Sequence, residues 1–196
     1  MSQIRREAGT SDDAAMTSLT GPGVYLRATD ADDADAFHDL WNDPETHLLV
    51  ADAPFVPISP DWVRTRLDTK ARNETDRVGD VWLAAVATKD DTVLGIAGLW
   101  GFVPFLGVAH VGISLRPSVR CAGYGSQILA LLCRYGFRAR ALRRIELETY
   151  ATNVGMRTVA ERFGFVHEGT LRGRGYDGDG YVDVVAYGLM RDEWTG

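Results

Sequence analysis

Three features of the chain predict a mixed α/β fold: one domain with a central, mostly antiparallel sheet of about seven strands, flanked by about four helices. The first is residues 110–137, HVGISLRPSVRCAGYGSQILALLCRYGF. Val111, Ile113 and Leu115 alternate with His110, Gly112 and Ser114, the period-2 pattern of a strand. Pro117 has no N–H to give a ladder and stops it. Beyond Gly123-Tyr124-Gly125, Ile128, Leu131, Leu132 and Tyr135 fall at i, i+3, i+4 and i+7, one face of a helix. The second feature repeats the theme. Ile145, Leu147 and Thr149 alternate with Glu146, Glu148 and Tyr150, and Asn153 opens a helix carrying Met156, Val159, Ala160 and Phe163 on one side. Gly164 suits the residue just past its end. The third is the β-rich C-terminus, where Asp177-Gly178-Asp179-Gly180 has hairpin chemistry and residues 181–190 return as a last strand.

The earlier elements follow in order. Residues 1–20 are small, polar and charged and predict a flexible tail, so the domain is expected over 21–196. Residues 24–28 form a short strand. Asp30 or Asp32 can cap the next helix, with Ala36, Phe37, Leu40 and Trp41 inward and Pro44 ending it. Residues 45–59 have no regular pattern and hold Leu48, Leu49, Val50, Phe55, Val56 and Ile58. They form either a loop folded on the core or the wall of a binding pocket. Ser59-Pro60 reads as an N-cap and first helical residue, with Trp62, Val63, Arg66 and Leu67 inward along 61–72. Residues 81–88 and 93–100 make a hairpin about Lys89-Asp90-Asp91, followed by an aromatic turn at 101–107 with Phe102 and Phe105.

Composition narrows the function classes. The 196 residues suffice for one domain with a full core, and 45% hydrophobic with 24% charged residues is an ordinary globular balance. A net charge of -6 argues against a general nucleic-acid surface. Two cysteines, Cys121 and Cys133, make neither a disulfide framework nor a metal spacing, and the four histidines are scattered, so no metal is expected. No apolar run reaches the about 18 residues of a membrane span, and the N-terminus lacks the apolar stretch of a signal peptide. A cytoplasmic protein is expected.

Arg120-Cys121-Ala122-Gly123-Tyr124-Gly125 is suited to holding an anion. The first N–H groups of a helix have no partners, the helix end is partly positive, and glycines let a phosphate approach the backbone. This turn resembles the R/Q-x-x-G-x-G/A pyrophosphate turn of the GNAT acyltransferases. The strand, Asn and helix ending in Gly-Phe over 145–165 resemble that family's next motif, and the closest subgroup is the Rim-type ribosomal-protein N-terminal acetyltransferases. The resemblance covers roughly residues 24–194.

The resemblance implies an acetyl-CoA-dependent N-acetyltransferase. Ile113 and Leu115 would bind the pantetheine arm through their main chain, in a cleft where two neighbouring strands splay. Arg120, Ala122, Gly123, Tyr124, Gly125 and Ser126 would hold the phosphates, and Asn153 would reach the cofactor as well as capping its helix. Rim-type enzymes often carry a glutamate near the start of the pantetheine-binding strand; here His110 stands there, and imidazole is a capable base near neutrality. Glu148 is a second base candidate. The tyrosine acid that many relatives carry is replaced by Ala160, which leaves Ser114 or Tyr150 as substitutes. Among Arg138, Arg140, Arg143 and Arg144, either all complement a helix end or one reaches the 3′-phosphate. The acceptor is an amine, of a protein N-terminus or of a small molecule. The same turn also suits a module that binds acyl-CoA without turnover. A homodimer fits the aromatic turn and the related enzymes.

Overall fold

The computed structural model describes residues 19–50, 55–72 and 79–196. Its centre is one seven-stranded sheet. The strands are β1 (Val24–Ala28), β2 (Val81–Ala87), β3 (Val93–Val103), β4 (Val108–Leu115), β5 (Arg144–Tyr150), β6 (Val166–Tyr176) and β7 (Tyr181–Met190). Their order across the sheet is β1-β2-β3-β4-β5-β7-β6. Every pairing is antiparallel except β4 with β5. The helices are α1 (Ala34–Trp41), α2 (Pro44–Val50), α3 (Pro60–Arg72), α4 (Tyr124–Arg134) and α5 (Val154–Arg162). None is long and apolar enough to cross a membrane among the described residues.

Two apolar layers sandwich the sheet. Ala34, Phe37 and Leu40 of α1 and Val63 and Leu67 of α3 bury against Ala84, Val86 and Ile96 on one face. On the other face, Ile128, Leu129, Leu131 and Leu132 of α4 and Ala160 of α5 meet Leu26, Leu99, Val111, Ile145, Leu147 and Leu189. The expected periodicities hold because each helix offers one apolar stripe to one sheet face. β4 therefore lies in the middle, with α4 crossing over to deliver the chain to parallel β5.

Several local expectations need correction. Pro44 ends α1 but also begins α2: Asp43 Oδ2 accepts from the Thr46 amide at 2.7 Å, an N-cap with Pro at the first helical position. Thus 44–50 is helical, 55–59 is irregular as expected, and 51–54 fall outside the described residues. Asp30 rather than Asp32 makes the first cap; it accepts from the Asp32 amide at 3.0 Å, with Asp33 accepting back from the Asp30 amide at 2.8 Å. Trp62 is 47% exposed, and Arg66 lies across its ring rather than inward. β3 runs on to Val103 through a register shift after Trp100, and β4 starts at Val108. Phe102 packs on the core with Arg140 over its ring, whereas Phe105 is 95% exposed. Of the expected tail only Leu19 and Thr20 are described, and both pair back onto β1.

The hairpin β2–β3 brings two backbones unusually close at Gly98. A Cβ there would lie 2.1 Å from the Val81 carbonyl oxygen and 2.9 Å from the Trp82 ring. Gly98→Ala should therefore destabilise the domain by about 1–3 kcal/mol, read as a lowered midpoint in urea unfolding. An unchanged midpoint would show that the strands separate there at no cost.

Candidate active site

The site begins where a ladder stops. β4 pairs with β5 only through Val108, Ala109 and His110, against Arg144, Ile145 and Glu146. β5 runs on to Tyr150, paired to β7 all along its length. Past His110, then, β4 and β5 diverge. The Arg116 amide bonds the Leu94 carbonyl of β3 at 2.9 Å. Alternation along a strand then turns the main-chain groups of Ile113 and Leu115 toward the gap. The Leu115 carbonyl accepts from Arg120 Nε at 3.1 Å. The splay expected from the family resemblance is present.

At the far end of the gap the chain makes its glycine turn. Gly123 has φ 81°, a left-handed conformation that glycine adopts without strain, and α4 starts at the next residue. Among the described residues no side chain caps α4. A Cβ on Gly123 or Gly125 would meet no atom within 4 Å, so the turn presents open backbone. The amides of Tyr124, Gly125 and Ser126 lie in the first turn of the helix, where the backbone offers no acceptor. Such a terminus fits a phosphate group.

Arg120 is already engaged. Its guanidinium bonds the Thr46 hydroxyl and stands 3.5 Å from Glu45 Oε1 and 3.7 Å from Asp43 Oδ2. The Thr46 hydroxyl also donates to Asp43, and this bond is the main reason the Asp43 carboxyl lies below its usual range. So the residue expected to meet phosphate clasps the start of α2 to the turn. At the other end of α2, Leu48 Cδ1 lies 3.0 Å from where a Gly178 Cβ would stand. α2 thus spans from the turn to the β6–β7 hairpin and forms a wall beside the gap.

His110 lies where the strands part. Its ring stacks on Trp100 with centroids 4.5 Å apart and planes at 21°. Nε2 is 3.2 Å from Glu146 Oε2, while Nδ1 is buried with no partner among the described residues. Glu146 Oε1 accepts from Arg144 Nε at 2.8 Å, and Arg144 forks onto both oxygens of Glu168. That fork raises the Arg144 pKa and holds the Glu168 carboxyl below the ordinary carboxylate range. Ser114 shares the face of His110, two alternations along β4, and is half-buried. Glu148 is exposed on the same face of β5. Asn153 is spent locally: Oδ1 accepts from the Met156 amide and Nδ2 donates to Thr149 Oγ1, each at 3.1 Å. Ala160 is fully buried in the core. Arg143 and Arg144 stand beside Val108, at the end of β4 away from the turn, so the 3′-phosphate alternative does not fit them.

Sequence reasoning missed Glu146, Glu168, Trp100 and Thr46, and it read Arg144 as a helix-end cation or phosphate ligand rather than as the partner of two glutamates. The alternation that marks Glu148 also marks Glu146. What it lacks is the parallel register that puts Glu146 opposite His110.

The two cysteines give a test of the turn. Burial pushes the Cys133 thiol up to about 12, while Cys121 lies exposed between Arg120 and Gly123. A thiol reagent should label Cys121 alone in the folded protein, because the thiolate is the reactive form. Saturating acetyl-CoA, whose sulfur is acylated and does not consume the reagent, should slow that labelling severalfold. An unchanged rate, with binding shown by calorimetry, would put the phosphates elsewhere.

Comparison with known proteins agrees with this geometry. Residues 24–166 match the family model described as an acetyltransferase (GNAT) domain. The chain is 25% identical over 183 residues to the uncharacterized N-acetyltransferase p20 of Bacillus licheniformis, covering 92% of this chain and 100% of that one. Among solved structures it resembles spermidine N-acetyltransferase from Vibrio cholerae in complex with CoA and spermine (TM-score 0.76, 20% identity, 87% and 96% of the two chains). It equally resembles RimL, the ribosomal L7/L12 α-N-protein acetyltransferase, in complex with coenzyme A (TM-score 0.75, 22% identity, 89% and 97%). With a family model spanning most of the domain, a forked parallel pair and an open helix terminus at its mouth, this chain belongs to the GNAT acetyltransferases.

Proposed function

We propose that this chain moves the acetyl group of acetyl-CoA onto a primary amine, and that the acceptor is the α-amine of a protein or peptide N-terminus. The observation that carries the reading is the gap between β4 and β5, which opens just past His110 and ends at the uncapped start of α4. A long donor with phosphates at one end and a thioester at the other suits such a groove. Bound there, acetyl-CoA supplies an activated acyl group with a thiol leaving group, of pKa about 8.5 if cysteine is the guide.

The chain's residues meet the remaining demands. The amides of Tyr124, Gly125 and Ser126 face the phosphates, with Ala122 and Gly123 shaping the turn. The main chain of Ile113 and Leu115 aligns the arm, and fixed N–H groups near the fork stabilise charge on the thioester oxygen. The acceptor must shed a proton. An α-amine titrates at about 7.7–8.0 and a lysine at about 10.4, so near pH 7 an α-amine needs only a modest base. His110 at the fork is that base, Glu148 is the next carboxylate along β5, and Ser114 or Tyr150 supplies the hydroxyl that stands in for the missing tyrosine acid. Asn153 serves by fixing the start of α5. Protein N-termini meet acetyl-CoA in the cytoplasm, which is the setting this reading carries. The exposed Phe105 turn is the surface for a homodimer.

A second reading, acetylation of a small amine, draws on the likeness to spermidine N-acetyltransferase, as close in fold as that to RimL. A third, a module that binds acyl-CoA without turnover, draws on Ala160 in place of the tyrosine and on the engaged Nε2 of His110.

Thiol release from acetyl-CoA tests all three, run against short peptides with free Ala, Ser or Met N-termini and against a pool of small amines. Peptide-dependent release is expected, and His110→Ala should lower kcat by about 10²–10⁴ while coenzyme A still binds. Release with small amines alone would move the chain to the second reading. Silence with both pools despite binding would move it to the third.

A further inference from the structure

We propose that Glu146 is the positioning residue of His110: it holds the imidazole in its Nε2–H form, so that Nδ1 is the nitrogen that takes the amine proton. This rests on the reading of His110 as the base. The two residues stand opposite each other in the last paired row before β4 and β5 part, with Nε2 3.2 Å from Oε2. A nitrogen facing a carboxylate carries its hydrogen, so the neutral ring keeps its lone pair on Nδ1. Nδ1 is the unpartnered, solvent-shielded atom of this ring. Buried polar atoms without partners are rare, and an active-site role is one of the reasons they persist.

The ring is held on its other sides as well. Trp100 covers one face at 4.5 Å. A Cβ on Gly101 would come within 3.1 Å of the Cδ2 edge, so backbone closes the edge across the ring from Nδ1. Glu146 is itself fixed, because its second oxygen accepts from Arg144 Nε at 2.8 Å. Arg144 in turn forks onto Glu168. The fork crosses β7 at Gly188, where a Cβ would lie 2.4 Å from Nη1. The chain of contacts thus runs His110, Glu146, Arg144, Glu168 over β4, β5 and β6, with a residue lacking a side chain on the strand between.

Charge supports the assignment. Among the described residues, the side chains in contact with the ring are neutral Trp100 from β3 and Glu146 from β5. Glu146, Arg144 and Glu168 together carry one net negative charge. When Nδ1 takes a proton, the imidazolium lies against that charge. In the step, an N–H bond of the amine breaks and an Nδ1–H bond forms. The amine pair makes the new C–N bond, and the C–S pair departs on sulfur as thiolate. A carboxylate behind an imidazole serves the same ends, orientation and compensation, in hydrolase triads.

The test joins a spectroscopic and a kinetic measurement on the full chain. Nitrogen-15 shifts of the His110 ring in the wild-type protein should report the Nε2–H form. Glu146→Gln keeps an acceptor but removes the charge and should lower kcat about tenfold; Glu146→Leu removes both and should lower it further, about a hundredfold, each with the KM for acetyl-CoA within about twofold of wild type. A wild-type His110 in the Nδ1–H form overturns the proposal without any variant, so poor folding of a mutant cannot shelter it. A Glu146→Leu enzyme of wild-type kcat beside an inactive His110→Ala enzyme overturns the positioning role and leaves the base reading standing. A fully active His110→Ala enzyme overturns both.

Discussion

The site depends on a row of hydrogen bonds that stops. Parallel strands in a sheet usually stay paired, because an unpaired backbone group away from water costs about as much as a lost hydrogen bond. Here β4 and β5 hold together for three residues and then part, while each keeps its other neighbour. Strand polar groups are thereby left facing a groove instead of a partner. The antiparallel pairing of β5 with β7 and of β4 with β3 keeps both lips rigid. In the proposed reading a ligand arm that supplies donors and acceptors would complete the ladder, and recognition would rest on backbone geometry with little demand on side-chain identity.

That economy explains which parts were legible in the sequence. The glycine turn was readable because a left-handed residue followed by an uncapped helix needs Gly123 or something close to it. The strands and the two long amphipathic helices were readable because each buries one face, which imposes a period. The start of α2 was misread. Asp43-Pro44 is the same cap-and-proline pattern as Ser59-Pro60, but a proline also ends the helix before it, and only that helix-ending meaning was credited. The bulge at Gly101 passed for the end of β3. The splay itself has no signature in periodicity, since Val111–Leu115 alternates as any paired strand does.

The polar part of the site was half legible for a related reason. Sequence spacing says which residues share a face of one strand, and it marked His110, Ser114 and Glu148. It does not say which residues of two parallel strands lie side by side, because their register is set by α4 and by packing between the layers. Glu146 opposite His110, and Arg144 beside it, are consequences of that register. The clasp of Arg120 on Asp43, Glu45 and Thr46, the last of them 74 residues away, is invisible to any local pattern. It also changes what the arginine does, since a cation with acidic neighbours offers a phosphate less than a free one.

In the proposed reading, the clasp makes the acyl donor and the amine energetic neighbours. There, a phosphate at the turn would compete with Asp43 and Glu45 for the Arg120 guanidinium, and that competition would bear on the wall beside the gap. Thermodynamic linkage makes such an effect reciprocal. On that reading the affinities for the acyl donor and for the amine would not be independent quantities. Reshaping α2 to admit a new acceptor would then retune the grip on coenzyme A as well, even where no residue that touches the cofactor is changed.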